Sequence, residues 1–182
     1  DRIEYAVENV HSKNLYMDWL KKDIALKDVN SKIYFLNSVR NYVKNTPDCD
    51  PNTFADMLCG QLGSHAITSS DDPLDKKMNW SQVSEANESE LIIIGGHTHS
   101  HFILSYLNKK QLDNEIDTSF ELLNKRAGIN PIHYSYPEGL RHHYSENVIN
   151  KLKKRGILCC PTAINGFNNI SDDLFHLKRV MI

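Results

Sequence analysis

Apolar side chains in the first third of the chain recur every three or four residues, which is the period of an amphipathic helix. One stripe runs from Leu15 through Trp19 to Ile24, another runs from Ile33 to Val43, and a third helix is predicted to start at Asn52. These stripes predict helices over about 1–62 that pack into a core. The segment 63–79 is rich in Ser, Asp, Pro and Lys, which predicts an exposed loop.

Beyond Trp80 the pattern changes, because short apolar runs now alternate with stretches of helical period. Alternating strands and helices are typical of parallel βα units. We therefore predict an α/β fold and a single domain over 1–182, with a helical and loop region at 1–79 and the βα units at 80–182. The predicted elements of the second part are helices at 80–87, 109–126 and 145–155 and strands at 91–94, 132–136, 157–160 and 177–182.

Composition narrows the classes of function. The formal net charge of −2 shows no basic excess, so the chain lacks the electrostatic character of a nucleic-acid binder. No stretch approaches the roughly 20 apolar residues that a membrane span needs, and the polar opening residues do not resemble a signal peptide. We expect reduced thiols at all four cysteines, which favours an intracellular setting and leaves the compartment open. These are Cys49, Cys59, Cys159 and Cys160.

The candidate chemistry is concentrated at 97–101, where the sequence reads His-Thr-His-Ser-His directly after an Ile-rich run and two glycines. In α/β folds, ligands bind beyond the carboxyl ends of the strands. A helical turn after Gly96 would place His97 and His101 on one face, where two neutral imidazoles can hold one metal ion, and would turn His99 away. The alternative is a solvated, histidine-rich loop in which Thr98 and Ser100 act as caps.

A second candidate segment ends the next predicted strand, so it would lie at the same edge of the sheet as the histidines. Its residues are Tyr136, Pro137, Glu138 and Gly139. A turn of this kind can direct backbone N–H groups toward the oxyanion of a tetrahedral intermediate. Taken alone, the segment also fits an ordinary β-turn with proline at its second position. The loop at 161–169 follows the third predicted strand and would share this edge.

Together these segments resemble the polysaccharide deacetylases, the family 4 carbohydrate esterases. The segment 97–101 matches the metal motif H-[ST]-x-x-H of that family, and 134–139 resembles its F-A-Y-P-Y-G motif. Trp80-Ser81-Gln82 is similar to the usual lead-in helix. The tail 174–179, which contains Arg179, is similar to the closing strand segment of members from surface-polysaccharide gene clusters. The resemblance covers about residues 78–182.

The resemblance implies an irregular (β/α) barrel that hydrolyses an N-acetylated sugar, and the barrel is incomplete at the N-terminus if this chain lacks the opening strands. It implies a divalent metal, often zinc, held by His97, His101 and an Asp, while a second Asp acts as the base. The residues that it assigns to the substrate or the oxyanion are Tyr136, Pro137, Glu138, Gly139 and Arg179.

The sequence departs from the family pattern at the catalytic aspartates. It has no T-F-D-D-G segment, which normally supplies both of them. Either the chain is a piece without the opening strands, or its third ligand comes from elsewhere. Glu138 stands where the family usually has an aromatic residue and is the nearest candidate for the general base. Phe102 replaces the usual proline.

Three hypotheses about function remain open from the sequence. The intact His97 and His101 favour a metal-dependent hydrolase that removes N-acetyl groups from a sugar. The missing aspartates favour a catalytically inactive carbohydrate-binding or structural relative, and a zinc-binding domain without a sugar partner is the third hypothesis. We expect an N-acetylated carbohydrate as the partner, and self-association through an open sheet edge.

Overall fold

The chain is divided into two compact units, residues 1–76 and residues 77–182. The computed structural model describes residues 2–64 and 76–180, so most of the loop predicted at 63–79 lies outside the described residues. The four cysteines are free thiols, as expected from the sequence. Within the described ranges, no helix is long and apolar enough to cross a membrane.

The first unit contains a β-hairpin where the sequence pattern predicts a helix. Strand β1 (Lys13–Met17) pairs antiparallel with β2 (Lys22–Leu26), and Trp19 lies in the connecting turn. Buried side chains alternate with exposed ones along both strands, which is the period of a strand; they are Leu15, Met17, Ile24 and Leu26. The helix prediction is wrong here because it counted Trp19, a turn residue, as part of a continuous helical stripe.

Three helices complete the first unit: α1 (Arg2–Glu8), α2 (Val29–Asn45) and α3 (Pro51–Leu62). The last two confirm the helices predicted from the periodicity. An aspartate precedes both α2 and α3, and its carboxylate accepts a backbone N–H of the first turn, which is a standard N-cap. The Ser31 amide donates to Asp28 at 2.8 Å, and the Thr53 amide donates to Asp50 at 2.7 Å.

The helices of the second unit agree with the sequence prediction. They are α4 (Trp80–Glu88), α5 (Lys109–Ala127) and α6 (Glu146–Lys154). Short 3₁₀ turns occupy Leu104–Tyr106 and Leu174–His176. Helix α5 ends at Gly128 with φ of 69°, a left-handed conformation that glycine adopts without steric cost.

The strands and bridges of the second unit pair in parallel, as the βα pattern predicts, but the strands predicted at 132–136 and 157–160 are reduced to single bridges. Strand β3 (Pro161–Asn165) pairs with β4 (Leu177–Arg179), and single bridges join Gly96 to Tyr134 and His133 to Cys159. The loop prediction at 161–169 is therefore wrong for β3, because a proline at the first position of a strand removes no essential ladder bond. The described residues are α/β and close no barrel.

The prediction of a buried strand at 91–94 is also wrong. Leu91 is 94% exposed and Ile93 is 72% exposed. Burial of such a run requires neighbours on both faces, and the described part of the second unit does not supply them. Self-association through an open sheet edge stays a prediction.

The core of the second unit lies beneath the strand ends that carry the candidate site. The ring of Tyr134 stacks near Phe120 of α5, with centroids 6.3 Å apart. The ring of Tyr136 stacks on Tyr144 at 4.2 Å with an interplanar angle of 7°. Because Tyr134 and Tyr136 are each 1% exposed, the backbone that leads into the second candidate segment is held firmly by buried side chains.

Candidate functional site

An open cavity of about 360 Å³ lies at the end of the bridged strands, and most of the residues singled out from the sequence line it. The lining residues are His97, His101, Ser135, Tyr136, Glu138 and Arg179. Pro137 and Gly139 are buried in the turn behind this surface, and His99 is exposed outside the lining. The structure thus brings together two histidines, a carboxylate and a guanidinium from three separate segments.

The two lining histidines face each other. Their ring centroids are 4.8 Å apart and the planes meet at 69°. Nδ1 of His97 lies 2.7 Å from the backbone oxygen of Ser135. Since a carbonyl oxygen only accepts hydrogen bonds, Nδ1 is the donor, and in the neutral ring this leaves the lone pair on Nε2. A histidine held in this way by a backbone carbonyl is oriented as metal-binding histidines usually are.

The histidines approach each other without the helical turn predicted after Gly96. Residues 97–101 are irregular, and Thr98 and His101 have positive φ values of 64° and 61°. A β-branched residue such as threonine rarely adopts this conformation. Strain of this kind persists only where surrounding contacts enforce it, and it is concentrated at functional sites.

Side-chain oxygens hold the backbone of this segment. The Thr98 amide donates to the Tyr134 hydroxyl at 2.9 Å, and the His101 amide donates to Oγ1 of Thr98 at 2.9 Å. Oε2 of Glu115 accepts the amides of His99 and Ser100. The sequence interpretation missed Glu115. Its signal is a charged residue on the apolar face of a helix, where a buried carboxylate needs hydrogen-bond donors.

The Tyr-Pro-Glu-Gly segment forms a tighter turn than the β-turn considered from the sequence. The Gly139 amide donates to the Pro137 carbonyl at 2.7 Å, and φ of Glu138 is 59°. A hydrogen bond from i+2 to i around a residue of positive φ defines a strained γ-turn. The Gly139 N–H is therefore engaged within the turn, and Pro137 has no N–H to donate.

The phenols beneath the cavity are neutral hydrogen-bonding groups. Burial raises the pKa of both Tyr134 and Tyr136 well above the ordinary value, because the charged form loses its solvation. The Tyr136 hydroxyl donates to the Phe175 carbonyl at 3.1 Å. Burial likewise raises the pKa of the Cys160 thiol to about 12. These groups position the strand ends and carry no charge near neutral pH.

Arg179 brings a positive charge to the cavity. Its Nε donates to the backbone oxygen of Thr162 on β3, so the neighbouring strand orients the guanidinium. Thr162 is itself fully buried, and its hydroxyl donates to the Leu177 carbonyl at 2.8 Å. A guanidinium held at its Nε retains a planar fork of donors suited to oxygen-rich ligands.

The donor set fits a metal ion in part. Two imidazoles converge, and one of them has the supporting carbonyl contact of a metal ligand. Over residues 2–64 and 76–180, however, no three His, Cys, Asp or Glu side chains are grouped so as to hold an ion. Zinc normally takes three or four protein ligands, so the described residues supply two of those it needs.

Replacing Gly139 with alanine tests how tightly the γ-turn is packed. A Cβ there would lie 2.7 Å from the Ala163 backbone nitrogen, at φ of 63°. Gly128→Ala is the matched control, since its φ is 69° and no atom lies within 4 Å of the added Cβ. Both variants carry the left-handed strain of about 1–2 kcal/mol. We expect Gly139→Ala to lower the free energy of unfolding by about 1–3 kcal/mol more, the cost of overpacking. Equal losses in urea unfolding would contradict this packing.

The chain is similar to one protein family and to several solved structures. A model of the family described as polysaccharide deacetylase matches residues 60–159, more than half of the sequence. The deacetylase domain of BpsB from Bordetella bronchiseptica is 18% identical with a TM-score of 0.50, over 65% of this chain and 55% of that one. The Streptococcus pyogenes deacetylase PplD, solved in complex with acetate, is 19% identical with a TM-score of 0.53, over 71% and 58%.

The chain spans little more than half the length of each of these two structures. Their deacetylase domains have a (β/α) barrel fold, and the described residues here share its α/β character without closing a barrel. A search of curated proteins finds no match. The family match covers the histidine segment, the tyrosine-proline turn and the helix between them. Because this family match covers more than half of the sequence, the chain belongs to the polysaccharide deacetylase family.

Proposed function

We propose that this protein removes N-acetyl groups from a sugar or polysaccharide with the help of a divalent metal ion, of which zinc is the candidate. One observation carries the proposal: His97 and His101 converge at a cavity that Glu138 and Arg179 also line. Amide hydrolysis requires a polarised carbonyl, an activated water and donors for the oxyanion. This cavity offers side-chain or backbone groups suited to each requirement.

In this proposal Nε2 of His97 and the imidazole of His101 hold the cation, which supplies Lewis acidity when bound. The Ser135 carbonyl keeps the His97 ring in the required tautomer. The Glu138 carboxylate accepts a proton from the attacking water and returns it to the sugar nitrogen as the bond between that nitrogen and the acetyl carbon breaks. The backbone amide of the same residue is our candidate donor to the oxyanion. Arg179 binds hydroxyl or carbonyl oxygens of the sugar, and Tyr136 forms a wall of the cavity.

A second candidate function is supported by the incomplete donor set. With two imidazoles and no third ligand grouped with them in the described residues, the cavity also fits a carbohydrate-binding relative that performs no hydrolysis. Such a relative would use Arg179 and the rim in the same way. It differs from the enzyme only in whether an acetyl group is released.

Acetate release from N-acetylglucosamine oligomers distinguishes the two functions. With added Zn²⁺ we expect slow release that stops when a chelator removes the metal, because the sequence contains no T-F-D-D-G segment and Glu138 takes the role of the family's aspartate base. Acetate is measured by NMR, and oligomer binding by calorimetry on the same sample.

Binding of the oligomer without any release of acetate would identify the inactive relative. Neither binding nor release would contradict both candidates and leave a metal-binding domain. Release that persists in the chelator would show that the hydrolysis does not depend on the metal and would overturn the proposed mechanism.

A further inference from the structure

Glu115 is a charged side chain inside the second unit, where it has only 6% exposure on the inner face of α5. An ionisable group is rarely buried unless its hydrogen bonds are satisfied. The carboxylate of Glu115 meets this condition through a segment outside its own helix, because its Oε2 accepts hydrogen bonds from the His99 amide at 3.1 Å and the Ser100 amide at 2.8 Å.

The two amides belong to the middle of the segment that joins the cavity histidines. Of the four N–H groups from Thr98 to His101, Glu115 takes two, while the Tyr134 hydroxyl and Oγ1 of Thr98 take the others. The segment is therefore fixed by side-chain acceptors rather than by a regular backbone ladder. Glu115 is the acceptor shared by the two central residues.

Two residues of this segment, Thr98 and His101, have left-handed backbone conformations. Such conformations persist only when surrounding contacts offset their strain. Hydrogen bonds to an ionised carboxylate are about twice as strong as neutral ones, so Glu115 is well suited to that task. If its acceptors were removed, the segment would relax and His101 would move relative to His97.

We propose that Glu115 is a positioning residue that preorganises His97 and His101 for a single divalent cation. This inference rests on the proposed function, since it concerns the same pair of histidines. Glu115 itself does not line the cavity. It acts through the backbone between the two imidazoles and touches neither the metal nor the substrate.

Two substitutions separate positioning from general stability. Glu115→Leu introduces an apolar side chain of similar bulk that has no acceptor, whereas Glu115→Gln keeps one oxygen acceptor and removes the charge. Ser119→Ala is the matched control, because Ser119 is 7% exposed on the same helix and its hydroxyl donates to the Ile116 carbonyl of that helix. Ser119 and Glu115 therefore share a helix and a similar burial, and they differ in that the side chain of Glu115 accepts hydrogen bonds from the histidine segment.

Titration with Zn²⁺ alone, followed by calorimetry, gives the first measurement. We expect Glu115→Leu to bind Zn²⁺ about 10–100-fold more weakly, as is typical when the group that supports a metal ligand is lost. Glu115→Gln should fall between Glu115→Leu and the parent protein, and Ser119→Ala should match the parent. An unchanged affinity in Glu115→Leu, or an equal loss in Ser119→Ala, would overturn the proposal.

Hydrogen exchange of the metal-free protein gives a second measurement that needs no metal. In Glu115→Gln, which should fold as the parent does, we expect the His99 and Ser100 amides to exchange faster while the amides of α5 keep their protection. Unchanged exchange at both amides would contradict the role of Glu115. If the parent protein binds no Zn²⁺, the proposed function fails, whereas the exchange result still decides whether Glu115 fixes the segment.

Discussion

His97→Ala and His101→Ala should each weaken Zn²⁺ binding by more than about 100-fold, beyond the 10–100-fold loss typical of residues that only support a ligand. The reason is geometric, because the two rings lie 4.8 Å apart at one cavity and no third grouped ligand compensates within the described residues. Calorimetric titration with Zn²⁺ under identical buffer conditions measures the effect directly.

His99→Ala is the matched control for this prediction. Its side chain is exposed, lies outside the cavity lining and sits between the two proposed ligands in sequence. We expect the Zn²⁺ affinity of His99→Ala to equal that of the parent, because alanine retains the backbone N–H that donates to Glu115. Equal losses in all three variants would show that the histidine-rich segment binds metal without a defined site.

The helices that the sequence predicted correctly are those whose signals are local. For α5, a continuous apolar stripe runs between a cap at Asn108 and a left-handed Gly128. Both ends are encoded within one turn of the helix, so no distant contact is needed to locate them. The hairpin at 13–26 was missed because four turn residues joined two short period-two segments into an apparent helical stripe.

The clustering of His97 and Glu138 could be anticipated because parallel strands end at one edge of a sheet, whereas Arg179 was assigned to the site only by the family resemblance. The route by which His101 reaches His97 could not, since it depends on the positive φ of Thr98 and His101. That conformation is enforced by Tyr134 and Glu115, which are distant in sequence. Local pattern carries no information about such long-range acceptors.

The exposure of Leu91 and Ile93 also shows that a local sequence pattern does not reveal long-range contacts. An apolar run predicts burial only if the fold supplies a second layer to cover it. Residues 2–64 and 76–180 leave these side chains largely exposed, although their composition is that of an interior strand. Hydrophobicity therefore indicated the environment that residues 91–94 prefer and not their actual neighbours.

Glu138→Gln should lower the rate of acetate release by about 10²–10⁴-fold, which is the usual contribution of a general base. Within the described cavity lining, Glu138 carries the single carboxylate that accompanies the two histidines. The substitution keeps the size of the side chain and the γ-turn between Pro137 and Gly139. Zn²⁺ affinity should therefore change little, so that the loss appears in the rate.

Glu121→Gln is the control, because Glu121 lies on α5 outside the cavity lining and pairs with Lys125 at an exposed position. An exposed ion pair of this type contributes about 0–1 kcal/mol to stability, so the variant should fold and release acetate as the parent does. Both variants are compared by NMR detection of acetate with saturating Zn²⁺. If Glu138→Gln retains the parent rate, the base is not Glu138 and the proton must be accepted by a group outside the described cavity lining.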